Sequence, residues 1–324
     1  MHIDKHQDVI AACRFCFMCR HLDPVGNVTF QEADTPRGRA LILDTIHMKN
    51  ESLKNRDFIA TIYRSALSGA NRYHCVSHYD EVGLVLAARK DIVEAGLAPE
   101  PVKVLAIELS RASFSVKGKG NALYYGHHPE LYAGCKTILG EDPGKALETL
   151  GFVGESQEVF DRFKNAVAAS RCKTLIVAEP SAYDFLKNKL DGIKVVHCSE
   201  YLLSAGVKIG PARKAYYLES DFLKNYDGNP AAPRQFLAQC GYKLVSFGTN
   251  SEESYSVGEG AVVFDELNPE LCEKLCRRVY DLADNLKTAL FITPSRYVKA
   301  SLSKYNSQIR IVSLEEAVAQ RKEQ

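Results

Sequence analysis

The run Cys13-Arg14-Phe15-Cys16-Phe17-Met18-Cys19 sets three thiols apart by two residues each. A loop with that spacing can turn three thiolates toward one face of an iron–sulfur cluster, and in such runs a fourth cysteine follows three residues later, ahead of a proline. Here that position is Asp23, followed by Pro24. Where two such runs occur in one chain, the last cysteine of each ligates the cluster of the other. The missing ligand is therefore to be sought in a second run.

Ser65, Ser68, Asn71 and Cys75 stand at the same spacing, with three thiols gone and the last kept. Under crossed ligation Cys13, Cys16, Cys19 and Cys75 complete one [4Fe-4S] cluster, while Ser65, Ser68, Asn71 and Asp23 occupy the four positions of a second. The losses fall on one set only, which independent drift would not produce. Zinc also accepts four thiolates, but usually as two separated pairs. Thiols packed as small hydrophobes are the plainer alternative, and they leave the spacing of Cys75 unexplained.

With 324 residues the chain exceeds the usual single-core size, so two or three packed units are expected. Its 41 basic and 40 acidic side chains give no electrostatic case for a nucleic-acid partner. Ten cysteines with a polar Met1 to Ile10 and no secretory segment point to a reducing, cytoplasmic setting. No apolar run approaches the roughly 20 residues of a membrane-spanning helix.

Residues 1–105 read as helical, ferredoxin-like segments around the cluster loops. Asp80 can cap a helix in which Val82, Val85, Leu86, Ile92 and Val93 share a face, with Gly96 at its end. Beyond that, short β-branched runs alternate with amphipathic ones. Strands are expected over 102–107, 173–178, 193–197, 214–218, 242–247, 261–264, 288–292 and 309–312, and helices over 156–170 and 267–285. This alternation predicts an α/β fold with mainly parallel sheets. An internal repeat supports two homologous units, 106–209 and 210–324. Lys173, Thr174, Pro180, Ser181 and Tyr183 fall on Lys287, Thr288, Pro294, Ser295 and Tyr297; two residues later in register, Ile193, Val195, Val196 and Glu200 fall on Ile309, Ile311, Val312 and Glu316. Pro143, Leu147 and Gly151 likewise fall on Pro233, Leu237 and Gly241. The boundary is expected near Gly206 to Pro211.

The cluster loop, Thr35-Pro36-Arg37-Gly38-Arg39, Cys75, Leu86-Ala87-Ala88-Arg89 and Ile92-Val93-Glu94-Ala95-Gly96-Leu97-Ala98-Pro99 together resemble the iron–sulfur subunit of glycolate oxidase. D-lactate dehydrogenase iron–sulfur subunits and catalytic subunits of heterodisulfide reductase are related. The resemblance covers nearly the whole chain and implies a two-cluster ferredoxin domain followed by two Cys-Cys-Gly repeats. The chain departs from that pattern in the repeats. The family's Cys-Pro-x-Cys corresponds to Glu179-Pro180-Ser181-Ala182 and to Thr293-Pro294-Ser295-Arg296, its second Cys-Cys-Gly region to Tyr255-Ser256-Val257-Gly258-Glu259-Gly260, and its His-Asp-Pro-Cys to Leu218-Glu219-Ser220-Asp221. Only Cys135 keeps a family thiol, so both repeats are expected to lack clusters.

The resemblance implies a single-cluster electron-transfer subunit beside a flavin-containing dehydrogenase that acts on a small organic acid, with FAD on the partner and a further electron carrier beyond. No catalytic residue is then expected on this chain. A cluster scaffold, or an enzyme using the cleft between the repeats, are the alternatives. Arg14, Arg20 and His74 adjoin ligands and are placed to tune a cluster by charge, though solvated surface charge describes them equally. Cys272 and Cys276, one helical turn apart, read as core, as do Cys172, Cys198 and Cys240. His127 and His128 beside Pro129 read as a turn. Pro180-Ser181 and Pro294-Ser295 read as helix starts, and Gly258-Glu259-Gly260 is too short for a nucleotide fingerprint.

Overall fold

The computed structural model describes residues 1–73, 75–206, 212–227, 231–247 and 255–322. Helices Gln7–Ala12, Pro36–Met48, Arg56–Tyr63, Glu81–Glu94 and Glu100–Leu109 build the N-terminal region. Three of their starts have a local cause: the side chains of Thr35, Asn55 and Asp80 accept backbone N–H groups of the first turn, and Pro36 supplies a helical φ. The helix expected after Asp80 is present, with Val82, Val85 and Ile92 buried and Leu86 and Val93 packed at the margin of the core.

The expected strand at 102–107 is instead the helix Glu100–Leu109. Pro101 in its first turn favours a helical start. Val102 and Ala106, four residues apart, are the buried pair, whereas Val104 and Ile107 are exposed; that spacing is helical. This helix also carries the helical region across the boundary expected at 105. The strand expected at 261–264 is likewise absent. Ala261 ends the 3-10 turn Glu259–Ala261, Val262 has a φ of +64°, and Phe264 opens the helix Phe264–Leu267. Burial there comes from a core loop, which a short apolar run does not distinguish from a strand.

The first sheet contains β1 (Ser115–Lys117), β2 (Ala122–Tyr125), β3 (Cys135–Leu139), β4 (Thr174–Val177) and β5 (Lys194–His197) in the order β1-β3-β2-β4-β5. Only β1 runs antiparallel to its neighbour. The second sheet, β6 (Arg213–Tyr217), β7 (Tyr242–Leu244), β8 (Leu290–Thr293) and β9 (Arg310–Ser313), is parallel throughout in the order β7-β6-β8-β9. Strands β1 to β3 were not legible in the sequence. With them in place, β3-β2-β4-β5 and β7-β6-β8-β9 share one topology. The alignment of Pro180 with Pro294 is nonetheless two residues out. β4 to β8 and β5 to β9 are each a step of 116 residues, and the helices that follow β4 and β8 start at Pro180 and Arg296. Glu179 therefore corresponds to Ser295, each the residue before its helix. The boundary segment 207–211 lies outside the described residues.

Alternate residues of the first sheet face opposite ways, as the period of a strand requires. Tyr124 and Ile176 pack with Tyr217, Ile292 and Val312 of the second sheet, while Leu123, Leu175 and Val177 pack under Phe160, Phe163 and Val167 of the helix Val153–Ser170. A larger core runs from Ile3, Leu43 and Val85 through Leu147 to Phe264, Phe291 and Ile311. It joins the N-terminal helices to both units. Among the described residues no helix is long and apolar enough to cross a membrane.

Candidate metal centre

Cys13 closes the helix Gln7–Ala12. Phe15, with φ +51°, then bends the chain so that Cys16 and Cys19 return toward it. Cys75 follows the 3-10 turn Ala70–Tyr73, and its own N–H bonds the Asn71 carbonyl at 3.0 Å. Cys13, Cys16, Cys19 and Cys75 line a single pocket, together with Arg14, Arg37, Asn71 and Tyr79. The four thiols expected to act together are thus brought together, although 55 residues separate Cys75 from Cys19.

Three backbone N–H groups point at these sulfurs. The backbone amides of Phe15 and Arg37 act on Cys13 and Cys19, each drawing its thiol down, and Tyr79 N lies 3.3 Å from Cys75 Sγ. Burial pushes the Cys13 thiol up, and it pushes Cys19 up to about 12 against the opposing pull of the Arg37 N–H. Burial thus favours the neutral thiol at both positions, so that either would ionise only with positive charge brought to the pocket. Soft thiolates from two loops with amide donors on the sulfurs fit an iron–sulfur cluster, and such donors are a lever on its potential.

The second set of four positions is filled by other chemistry. Asp23, 5% exposed, accepts from Arg39 Nη2 at 2.5 Å and from Gly26 N at 2.9 Å. Arg39, fully buried, also bonds Glu81 Oε1 at 2.5 Å and the Asp34 carbonyl at 2.7 Å. Ser65 Oγ donates to the same Glu81 oxygen at 3.2 Å. Asp23 thus pairs directly with the buried Arg39 guanidinium, and Ser65 is joined to it through Glu81. Asn71 Nδ2 donates to the Tyr79 carbonyl at 3.0 Å, and the Ser68 carbonyl accepts from Asn225 Nδ2 at 2.7 Å.

Of the residues expected to tune the centre, Arg14 lines the pocket, Arg20 is exposed without lining it, and His74 lies outside the described residues. Arg37 was not singled out. It lines the pocket, holds Cys19 through its N–H, and places its guanidinium 4.3 Å from the Phe17 ring centre. Its place in Thr35-Pro36-Arg37 was the available signal. Cys172, Cys198, Cys240, Cys272 and Cys276 are buried, as expected for core thiols, and Cys272 Sγ lies 3.4 Å from the Val257 carbonyl. Cys135 is half-buried on β3, where burial pushes its thiol up.

No family model matches the chain, and neither a curated protein nor a solved structure does.

Proposed function

We propose that the chain is a single-cluster electron-transfer subunit that works beside a flavin-containing dehydrogenase of a small organic acid. The observation that carries the reading is the convergence of Cys13, Cys16 and Cys19 with Cys75 in one pocket. When bound there, a [4Fe-4S] cluster supplies one-electron transfer. The chain's own residues hold it through four sulfurs, with the N–H groups of Phe15, Arg37 and Tyr79 on three of them. The flavin and the hydride chemistry belong to the partner.

The surface around the pocket supports an exchange with a partner. Cys16 is exposed, and Phe15, Phe17, Met18 and Val76 stand 39%, 63%, 45% and 73% exposed. These belong to the two cysteine-bearing loops. Apolar side chains on an otherwise charged surface mark places where another protein is met.

Protein purified without oxygen should hold about four irons and four sulfides per chain, and should take up one electron reversibly, read by paramagnetic resonance during a potentiometric titration. Stoichiometric zinc without sulfide, or about eight irons, would overturn the ligand assignment. A bound cluster that is not reducible at any physiological potential would make it structural.

A further inference from the structure

A cavity of about 280 Å³ opens where the carboxyl ends of the strands of both sheets meet. Tyr125, Leu139 and Ala178 come to it from the ends of β2, β3 and β4, and Pro294 and Ser313 from β8 and β9. In open parallel sheets ligands are received at this end of the strands. The volume lies near the lower end of small-molecule sites, roughly 300 to 1,000 Å³.

The charges in its wall are committed with one exception. Lys299 is paired with Glu316. Glu315 accepts the hydroxyls of Tyr124 and Tyr132 at 2.8 and 2.6 Å. Asp142 accepts the N–H groups of Gly144 and Ala146, each at 2.9 Å. Glu179 caps the helix Arg296–Tyr305 from the other unit, accepting from Ser295 Oγ at 3.1 Å and Arg296 N at 2.9 Å. Arg296 remains. Its Nη1 lies 2.6 Å from His127 Nε2, and because a guanidinium only donates, that imidazole nitrogen accepts and the ring is neutral. Among the described residues the Arg296 guanidinium has no carboxylate within ion-pair distance.

We propose that this cavity binds a small monocarboxylate, with its carboxylate on the Arg296 guanidinium and its apolar body against Tyr125, Ile138, Leu139, Ala182, Pro294 and Tyr297. A planar fork matches a carboxylate or a phosphate. The choice between them follows from the wall, where one cation without an ion pair among the described residues stands among the carboxyl groups of Asp142, Glu179 and Glu315. Burial pushes the carboxyl groups of Asp142, Glu179 and Glu315 up, which favours their neutral forms, and what negative charge they keep weighs twice as heavily on a dianion as on a monoanion. The neutral His127 adds no charge of its own, and its bond fixes the guanidinium plane.

The test is isothermal titration of the full-length, cluster-loaded chain with acetate, butyrate, pyruvate, benzoate and inorganic phosphate. Saturable binding of at least one monocarboxylate is expected, with phosphate weaker. Arg296→Met should weaken that binding roughly 10- to 100-fold, the equivalent of one charge-assisted hydrogen-bonded contact, while Lys299→Met leaves it within a few-fold. Arg296→Lys keeps the charge and loses the fork, so it should weaken binding several-fold; it gives the same reading if the methionine variant does not fold. Absence of binding by all four carboxylates, phosphate binding as tightly as they do, or unchanged affinity in both Arg296 variants would overturn the proposal. It is independent of the cluster reading, which iron content in the same samples tests separately.

Discussion

At the scale of single residues, Cys75 and Asp23 occupy equivalent positions in the two runs and do different work. Cys75→Ala is expected to lose the cluster nearly as completely as Cys16→Ala, read as iron content and visible absorbance. Asp23→Ala should keep the iron of the folded protein and yet cost about 3–5 kcal/mol in chemical denaturation, since it leaves the buried Arg39 with one carboxylate in place of two. Loss of iron in Asp23→Ala without loss of stability would make Asp23 a ligand. His197 and Glu179 set opposing pH dependences. His197 is buried, its Nε2 near the Ala178 carbonyl and its Nδ1 bonded by Ser199, and burial lowers it from 6.5 to about 4. Its neutral form stabilises the fold fully above pH 6.5, and that contribution, up to about 3 kcal/mol, is lost as pH falls through 4. Glu179 is raised to about 7 by burial, so its contribution is present below pH 4.5 and is lost as pH rises through 7. Between these limits the two partly cancel in the native protein. His197→Gln should therefore lose less stability than the native protein between pH 6.5 and 4.5, and Glu179→Gln less between pH 5 and 7.5, each measured as a shift of the urea midpoint. Parallel pH curves for a variant and the native chain would remove that residue from the account.

At the scale of elements, the strand expected at 261–264 is the loop that seats the second unit on the N-terminal helices. A Cβ built on Gly260 would stand 2.1 Å from the Leu67 carbonyl oxygen and 2.8 Å from that of Ala66. The Gly258-Glu259-Gly260 segment thus owes its glycine to a close backbone approach, and not to a nucleotide. Gly260→Ala is expected to cost at least about 1–3 kcal/mol by overpacking, because backbone on both sides limits relaxation, with iron content per folded chain preserved. A thermal midpoint equal to that of the native protein would contradict the packing. Arg89 is the matching contact on the other unit. Fully buried and lowered to about 10 by burial, it bonds the carbonyls of Ile62, Ser65 and Thr149, so one side chain ties the helix Glu81–Glu94 to the loop before Cys75 and to the first unit.

At the scale of the whole molecule, one continuous apolar core from Ile3 to Ile311 joins the N-terminal helices and the two sheet units. Unfolding of the cluster-loaded chain should be a single transition, with cluster absorbance and far-ultraviolet circular dichroism lost at the same denaturant concentration. Early loss of the dichroism of the sheet units, with absorbance intact, would show that the units fold independently. Removal of the iron should lower the common midpoint, because a cluster held only by the folded chain adds its binding free energy to stability.

What the sequence determined by itself was set by short spacings. The x2, x2, x3 intervals put Cys13, Cys16, Cys19 and Cys75 in one set, and Asp80 with its apolar helical face predicted the helix Glu81–Glu94. The alternation of β-branched and amphipathic runs predicted parallel sheets. The last two are decided within a few residues by capping and side-chain period, while the thiol spacing marks a set that the fold brings to one pocket. Tertiary structure alone decided the rest. The helix Glu100–Leu109 and the loop at 261–264 hold apolar runs whose burial depends on what packs against them. The two-residue shift between the repeats came from prolines that align in sequence while the helices they adjoin begin at different points. The guanidinium of Arg39 between Asp23 and Glu81, the amide of Arg37 beside Cys19, and the cavity that Arg296 lines each depend on residues apart in the chain meeting in space. Such meetings leave no periodic trace, since a side chain's partner across the fold imposes no pattern on its neighbours in sequence.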